Sequence, residues 1–271
     1  MTLSTFFTSS GMDDHPTQYL FKWQHFLYII VSIILFIFLM KIFKRKSAKT
    51  RKLFVTVCCV IMLLLKYAGE VLFIWEWNRY GDQLSSYSHP LLDFRTLISF
   101  QLCGVNNVLL PLVIWFDWKK AKDFIYSTSI IGGLAVIIYP VGVLYGDPFV
   151  FTFPILRSLV VHFLLFFVSC FQLLTGEFVL RKENWLNTLV GCILITAWAM
   201  IGNLFIDPGA NNMYLMANPF YGGPVPILNV LPDGYHMIVL VILVFLAFVL
   251  VYSVFGLYNK KRLKQLTHTI E

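Results

Sequence analysis

The sequence predicts an all-α protein, a polytopic bundle of seven transmembrane helices with its N-terminus outside and its C-terminus in the cytoplasm. The first observation is composition: of 271 residues, 58% are hydrophobic and only 13% are charged. The mean hydropathy is +0.75. A soluble domain of this size cannot bury so much apolar surface, so lipid must be the solvent for most of the chain.

The second observation is the length of the apolar runs, because one crossing of a bilayer needs about 20 predominantly apolar residues. Seven runs meet this requirement. They span residues 24–43, 53–77, 94–117, 123–145, 155–176, 186–206 and 234–257. A basic cluster rather than a small-residue cleavage site follows the first run, which therefore predicts a membrane span and not a signal peptide.

The third observation is the distribution of charge, which sums to +7. The connections after the first, third, fifth and seventh runs hold 16 of the 21 lysines and arginines. The positive-inside rule places these connections in the cytoplasm and predicts a multi-pass protein of the plasma membrane. This pattern also argues against nucleic-acid binding.

These runs divide the chain into three parts. Residues 1–22 are predicted to form an external N-terminal arm, residues 23–258 a single seven-helix membrane domain, and residues 259–271 a basic cytoplasmic tail. The five cysteines all lie inside apolar runs, which fits neither a disulfide framework nor a metal site. We therefore expect no metal and no soluble cofactor.

The last outer connection, residues 207–233, is long and unusually apolar for a loop. Five prolines prevent it from forming a continuous helix. Irregular backbone at membrane depth is tolerated where protein covers it or where it lines a cavity. This segment is therefore predicted to fold back over the outer mouth of the bundle as a lid.

Polar side chains within the third run are predicted to form one stripe. If this run is helical, Arg95, Ser99, Cys103 and Asn106 fall within about 80° of one another. Polar groups in lipid are costly and normally face the bundle interior, where they mark functional sites. This stripe is therefore a candidate site.

The fifth run carries the second group of candidate residues. His162 lies about seven residues below its outer end and Cys103 about nine below the outer end of the third run, or roughly 11–14 Å deep in both cases. Arg157 lies above them, near the outer interface. In the second run, Lys66 and Glu70 are one turn apart and are expected to form an ion pair.

A thiol and an imidazole at one depth suggest chemistry on a lipid ester. His162 would accept the Cys103 proton, and the thiolate would attack an acyl ester to form a thioester. The acyl group would then pass to a second lipid, with Asn106 or Asn203 donating to the oxyanion.

The head group has its own candidate ligands near the outer interface. Arg95 and Arg157 are positioned to hold a phosphate, which a guanidinium binds through two parallel hydrogen bonds. The predicted partners are membrane lipids acting as substrates.

Three stretches carry a resemblance to a known family. They are "LISFQLCGVNNVLLPLVIWF", "LRSLVVHFLLFFVSCFQLLTG" and "GNLFIDPGANNMYLMANP". In this order, at the third, fifth and sixth runs, they resemble the YwaF-like family of seven-span bacterial membrane proteins. That family includes a vertebrate relative that moves a fatty acyl chain from phosphatidylcholine onto ether lysophospholipids.

The resemblance implies roles for individual residues. Cys103 matches the nucleophile of the Q-L-C run, and His162 matches the histidine of the fifth span. Asn211, Asn212 and Tyr214 match a motif of the outer loop, although Met213 stands where many relatives have tyrosine. The function implied is a membrane-embedded acyltransferase or transacylase with a Cys–His pair in an outer-leaflet cavity.

Other interpretations of the same residues remain open. The cavity would serve equally well in a transporter or binding protein for a small polar or lipid ligand, without covalent chemistry. A scaffold that binds a partner membrane protein is a third possibility. At residue level, a membrane cysteine often only fills a helix contact, and arginines near span ends can snorkel to lipid phosphates.

Overall fold

The computed structural model describes residues 6–7, 20–80, 98–140, 152–223 and 225–267. Within these ranges the secondary structure is helical, without a β-strand. The long helices are α1 (Trp23–Phe43), α2 (Ala48–Tyr80), α3 (Leu102–Trp115), α4 (Lys119–Ile138), α5 (Phe153–Thr175), α6 (Trp185–Ile201) and α7 (Tyr235–Thr267).

Each of the seven helices overlaps one of the seven predicted runs. Six segments are long and apolar enough to cross a membrane in the described part of the chain, and α3 is a shorter apolar helix of 14 residues. The chain is therefore a multi-span membrane protein. The N-outside orientation stays a prediction.

Two helices, α4 and α5, form the centre of the bundle. The α4 helix packs against α1, α3, α5, α6 and α7, and α2 packs against α5 and α3. Phe163, Phe167 and Phe171 repeat every fourth residue on α5, so their rings lie on one face of the helix, with neighbouring centroids 5.7 Å apart. These rings form the middle of the apolar core.

The outer helices leave large apolar side chains uncovered. On α1, Ile34 is 59% exposed and Phe38 is 56% exposed, and on α7 Phe245 is 64% exposed. In water such a surface would drive aggregation. In a bilayer these side chains contact lipid tails, as the composition predicts.

The third span differs from the prediction. The helix begins at Leu102, and residues 98–101 before it are not helical. This segment is held against α6: the Trp198 indole N–H donates to the Ser99 carbonyl at 3.0 Å, and the rings of Phe100 and Trp198 stack with centroids 4.9 Å apart. The prediction that Ser99 continues a helical stripe through Cys103 is therefore wrong.

The sixth span ends in an irregular turn. After Ile201 the chain continues as one π-helical turn, Gly202–Ile206. The ring of Phe100 lies directly on Gly202, where an added Cβ would be 2.5 Å from it. Glycine is needed there because only a bare backbone leaves room for this ring.

Candidate functional site

Cys103 lies at the start of α3, one residue after its first residue, and its side chain is only partly covered. The thiol packs onto α4 at Gly132, where an added Cβ would lie 2.9 Å from Cys103 Sγ. Real Cβ atoms essentially never come this close, so Gly132 makes the room that the sulfur occupies. The α3–α4 contact therefore positions the thiol.

His162 reaches the same place on α4 from the other side. Its carbonyl oxygen would lie 2.6 Å from a Cβ on Gly133, and the Phe166 backbone nitrogen would lie 2.9 Å from it. The backbone of α5 therefore runs against the bare backbone of α4. Adjacent glycines thus receive Cys103 from α3 and the His162 turn from α5, and three helices meet at this pair.

The hydrogen bonds of His162 define which ring nitrogen can accept a proton. Nδ1 lies 2.7 Å from the Ser158 carbonyl oxygen. A carbonyl only accepts, so Nδ1 carries the hydrogen and donates it. Nε2 is then the free acceptor, which is the atom that a general base needs.

The direct thiol–imidazole contact is not made in this state. Among the described residues, no hydrogen bond joins Cys103 Sγ to either ring nitrogen of His162. The Cys103 thiol lies on Gly132 and the His162 carbonyl on the next residue, Gly133.

Asn106 follows Cys103 by about one turn of α3 and contacts α4. It is fully buried, and its Nδ2 donates to Thr128 Oγ1 on α4 at 2.9 Å. Thr128 in turn donates to the Phe124 carbonyl at 2.8 Å. The amide predicted to stabilise an oxyanion therefore links α3 to α4.

Backbone amides at the start of α3 offer another set of donors. The first turn of a helix has N–H groups without intrahelical partners. Those of Leu102, Cys103 and Gly104 have none elsewhere in the part of the chain that the structure describes. The Ser99 hydroxyl lies over Gly104, where an added Cβ would be 1.9 Å from Ser99 Oγ. These donors could not be predicted from the sequence, because the predicted helix began further back.

Arg157 belongs to a charged group between α5 and α2. Its Nη1 donates to the Lys66 carbonyl at 3.4 Å, and its guanidinium lies on Gly69, where a Cβ would be 2.0 Å from Nη1. Lys66 and Glu70 form the predicted ion pair at 3.8 Å. The predicted partner of Arg157, Arg95, lies outside the described residues.

Asn203 and Asn212 hold the outer loop to α6. Asn203 Oδ1 accepts from the backbone N–H and from Nδ2 of Asn212, both at 2.8 Å, and Asn203 Nδ2 donates to the Asn212 carbonyl at 3.2 Å. Gln101 Oε1 accepts from the Met213 N–H at 2.9 Å. The loop is therefore fastened to the start of α3, directly beside Cys103.

The other residues of the loop motif also stabilise the loop itself. Asn211 Oδ1 accepts from the N–H groups of Met216 and Ala217 at 3.0 and 3.2 Å. His236 Nε2 donates to the Tyr214 carbonyl at 2.8 Å. The predicted substrate ligands Asn203, Asn211 and Asn212 thus have backbone partners in this structure, whereas the Tyr214 ring is 40% exposed.

Sequence reasoning did not identify Gln101, Trp198 and His236, which hold the loop after α6 and the start of α3. Their partners are backbone groups more than 20 positions away in the sequence. Gln101 lies beside Cys103 in the chain, but a helical projection places it off the predicted stripe.

Comparison with known proteins gives one family. A family model described as the TMEM164 family matches residues 20–252, which include all of α1–α6 and about half of α7. No curated protein and no solved structure matches the chain. Since the matched region covers most of the sequence, the chain belongs to the TMEM164 family.

Proposed function

We propose that this protein is a membrane-embedded acyltransferase that moves a fatty acyl chain between lipids, with Cys103 as nucleophile and His162 as base. The observation that supports the proposal is the meeting of α3 and α5 on adjacent glycines of α4, where the Cys103 thiol lies on Gly132 and the His162 carbonyl on Gly133. The resemblance to YwaF-like proteins points to the same two residues. We propose that the protein lies in the plasma membrane.

The proposed chemistry has two steps, acylation of Cys103 and transfer of the acyl group to an acceptor. Nε2 of His162 takes the thiol proton, and Sγ attacks the ester carbonyl of the donor lipid. The carbon–oxygen bond of the ester breaks, and the departing alkoxide receives the proton from the imidazolium. The hydroxyl of an acceptor lipid then attacks the thioester carbonyl while His162 takes its proton. The carbon–sulfur bond breaks, a new ester is released, and the proton on His162 returns to the Cys103 thiolate.

Proton transfer requires movement of a side chain, because no hydrogen bond joins the thiol to the imidazole in the described structure. Catalytic hydrogen bonds are often loose before the substrate binds. We propose that this movement is a rotation about χ1 of Cys103, which lies in the first turn of α3.

The tetrahedral oxyanion is assigned to the backbone amides of Cys103 and Gly104 rather than to Asn106 or Asn203. Both asparagine amides already donate within the fold. A helix N-terminus stabilises negative charge, and α3 has no acidic residue in its first turn. Arg157, with Lys66 beside it, supplies positive charge for a lipid phosphate.

Transport is the second candidate function, and irregular helices favour it. The α3 helix begins only at Leu102 after a non-helical segment, and the sixth span ends in a π-helical turn. Discontinuous helices of this kind form substrate sites in transporters. The two candidates differ in whether a covalent bond of the lipid changes.

The two functions are separated by an assay in phosphatidylcholine vesicles that contain the purified protein and a lysophospholipid acceptor. We expect acyl transfer to the acceptor, detected by mass spectrometry of the extracted lipids. His162→Gln should lower the rate at least about 100-fold, as expected for loss of a general base. Movement of lipid between leaflets without any change in acyl composition would contradict the proposal and support transport.

A further inference from the structure

A separate groove lies between α3, α4 and α6. Its volume is about 540 Å³, and its walls are almost entirely apolar. The residues that line it include Val105, Leu109, Phe124, Gly191, Leu194 and Trp198. Leu194 is 65% exposed, so the groove opens toward lipid rather than into the bundle.

The shape of the groove follows from Gly191 on α6. An added Cβ there would lie 2.2 Å from the Phe124 ring. This ring, which belongs to α4, therefore lies directly on the backbone of α6. Along α6 the groove extends from Asn187 to Trp198. At 1.5 Å per residue this is roughly 16 Å, which is about half of a hydrocarbon core of about 30 Å. The groove therefore has the length of one leaflet.

The two ends of the groove differ in chemistry. At one end the Trp198 indole is held by the Ser99 carbonyl and covered by Phe100. At the other end the lining includes Trp118, Asn187 and Lys120. Lysine and tryptophan at that end are typical of the level of lipid head groups.

Lys120 is the available positive charge at this end. It is exposed, and no ion-pair partner for it occurs among the described residues. The nearby carboxylate of Asp117 already has a partner, because it accepts a hydrogen bond from Lys122 and forms an ion pair with it. This contact lowers the pKa of Asp117. An acidic head group would therefore meet an unused lysine at the mouth of an apolar groove.

We infer that this groove binds one acyl chain of an anionic phospholipid, with the head group at Lys120. The groove is distinct from the candidate acyl-transfer site. Val105, which lines it, and Cys103 lie about 200° apart around α3 and so face opposite sides of the helix. The inference does not depend on the proposed acyl transfer.

The inference is tested by native mass spectrometry of the full chain, released from vesicles of equal parts phosphatidylcholine and phosphatidylglycerol. We expect one retained phospholipid, mainly phosphatidylglycerol. Leu194→Trp fills the groove and should reduce retention about fivefold or more, whereas Ile193→Trp should not. Ile193 is a matched control because it is 59% exposed and does not line the groove.

The head-group contact is tested by Lys120→Gln. Removing one lysine near the membrane surface should reduce the preference for phosphatidylglycerol about fivefold, while Lys182→Gln, another exposed lysine of a basic connection, should leave it unchanged. Equal loss in the two tryptophan variants would overturn the groove assignment. Equal retention of both lipids by the unmodified protein would overturn the assignment of an anionic head group.

Discussion

Replacing Cys103 by alanine is expected to abolish acyl transfer, with a fall in rate of about 10³-fold or more. In the proposed mechanism the acyl chain is carried by the Cys103 thiol, so transfer stops when the thiol is removed. The fold should survive, because alanine keeps the Cβ atom and removes only the sulfur that packs on Gly132. The measurement is the rate of acyl exchange in vesicles, together with the thermal unfolding temperature of each variant.

Cys192 on α6 supplies the matched control, since it is also a partly covered free cysteine in a membrane helix. Cys192→Ala should retain acyl transfer within about twofold, as most substitutions away from a site do. Full activity in Cys103→Ala would rule out the nucleophile. Equal loss of activity in both variants would show that the effect arises from general disturbance of the bundle.

Gly133→Ala is expected to destabilise the bundle by about 2 kcal/mol. The new methyl group would meet the His162 carbonyl oxygen at 2.6 Å and the Phe166 nitrogen at 2.9 Å. Backbone atoms cannot move aside as a flexible side chain can, so α4 and α5 must separate. Overpacking costs about 1–3 kcal/mol, from which the better helix propensity of alanine recovers up to about 1 kcal/mol.

Gly256 on α7 provides the comparison for this prediction, because no side chain or neighbouring helix in the described part of the chain comes within 4 Å of its added Cβ. Gly256→Ala should leave stability unchanged or raise it by up to about 1 kcal/mol. Thermal unfolding in detergent, followed by circular dichroism, measures both variants. A Gly133→Ala protein as stable as Gly256→Ala would contradict the close α4–α5 contact at the candidate site.

Hydropathy and charge predict the number of helices well, because each crossing must satisfy its own backbone in lipid. They do not predict where α3 begins. That boundary is determined by the contact of Ser99 and Phe100 with Trp198, and the two partners are almost 100 residues apart in the sequence. Helical periodicity contains no information about such a contact.

The candidate site shows the same division. The lengths of the two runs predict a similar depth for Cys103 and His162, and in the structure the Cys103 thiol lies on Gly132 and the His162 carbonyl on Gly133. The roles expected for Asn106 and Asn203 were not predictable in this way. An asparagine in lipid bonds to whichever group lies opposite, here Thr128 and Asn212, and that neighbour depends on helix packing.

Covalent catalysis by Cys103 is tested by a search for an acyl thioester on this residue. Purified protein is incubated with phosphatidylcholine in the absence of an acceptor, digested, and analysed by mass spectrometry with and without hydroxylamine. We expect a fatty acyl group on the peptide that contains Cys103. Hydroxylamine should remove it, and it should be missing from Cys103→Ala. Acyl transfer that proceeds while this cysteine stays unmodified would contradict covalent catalysis by Cys103.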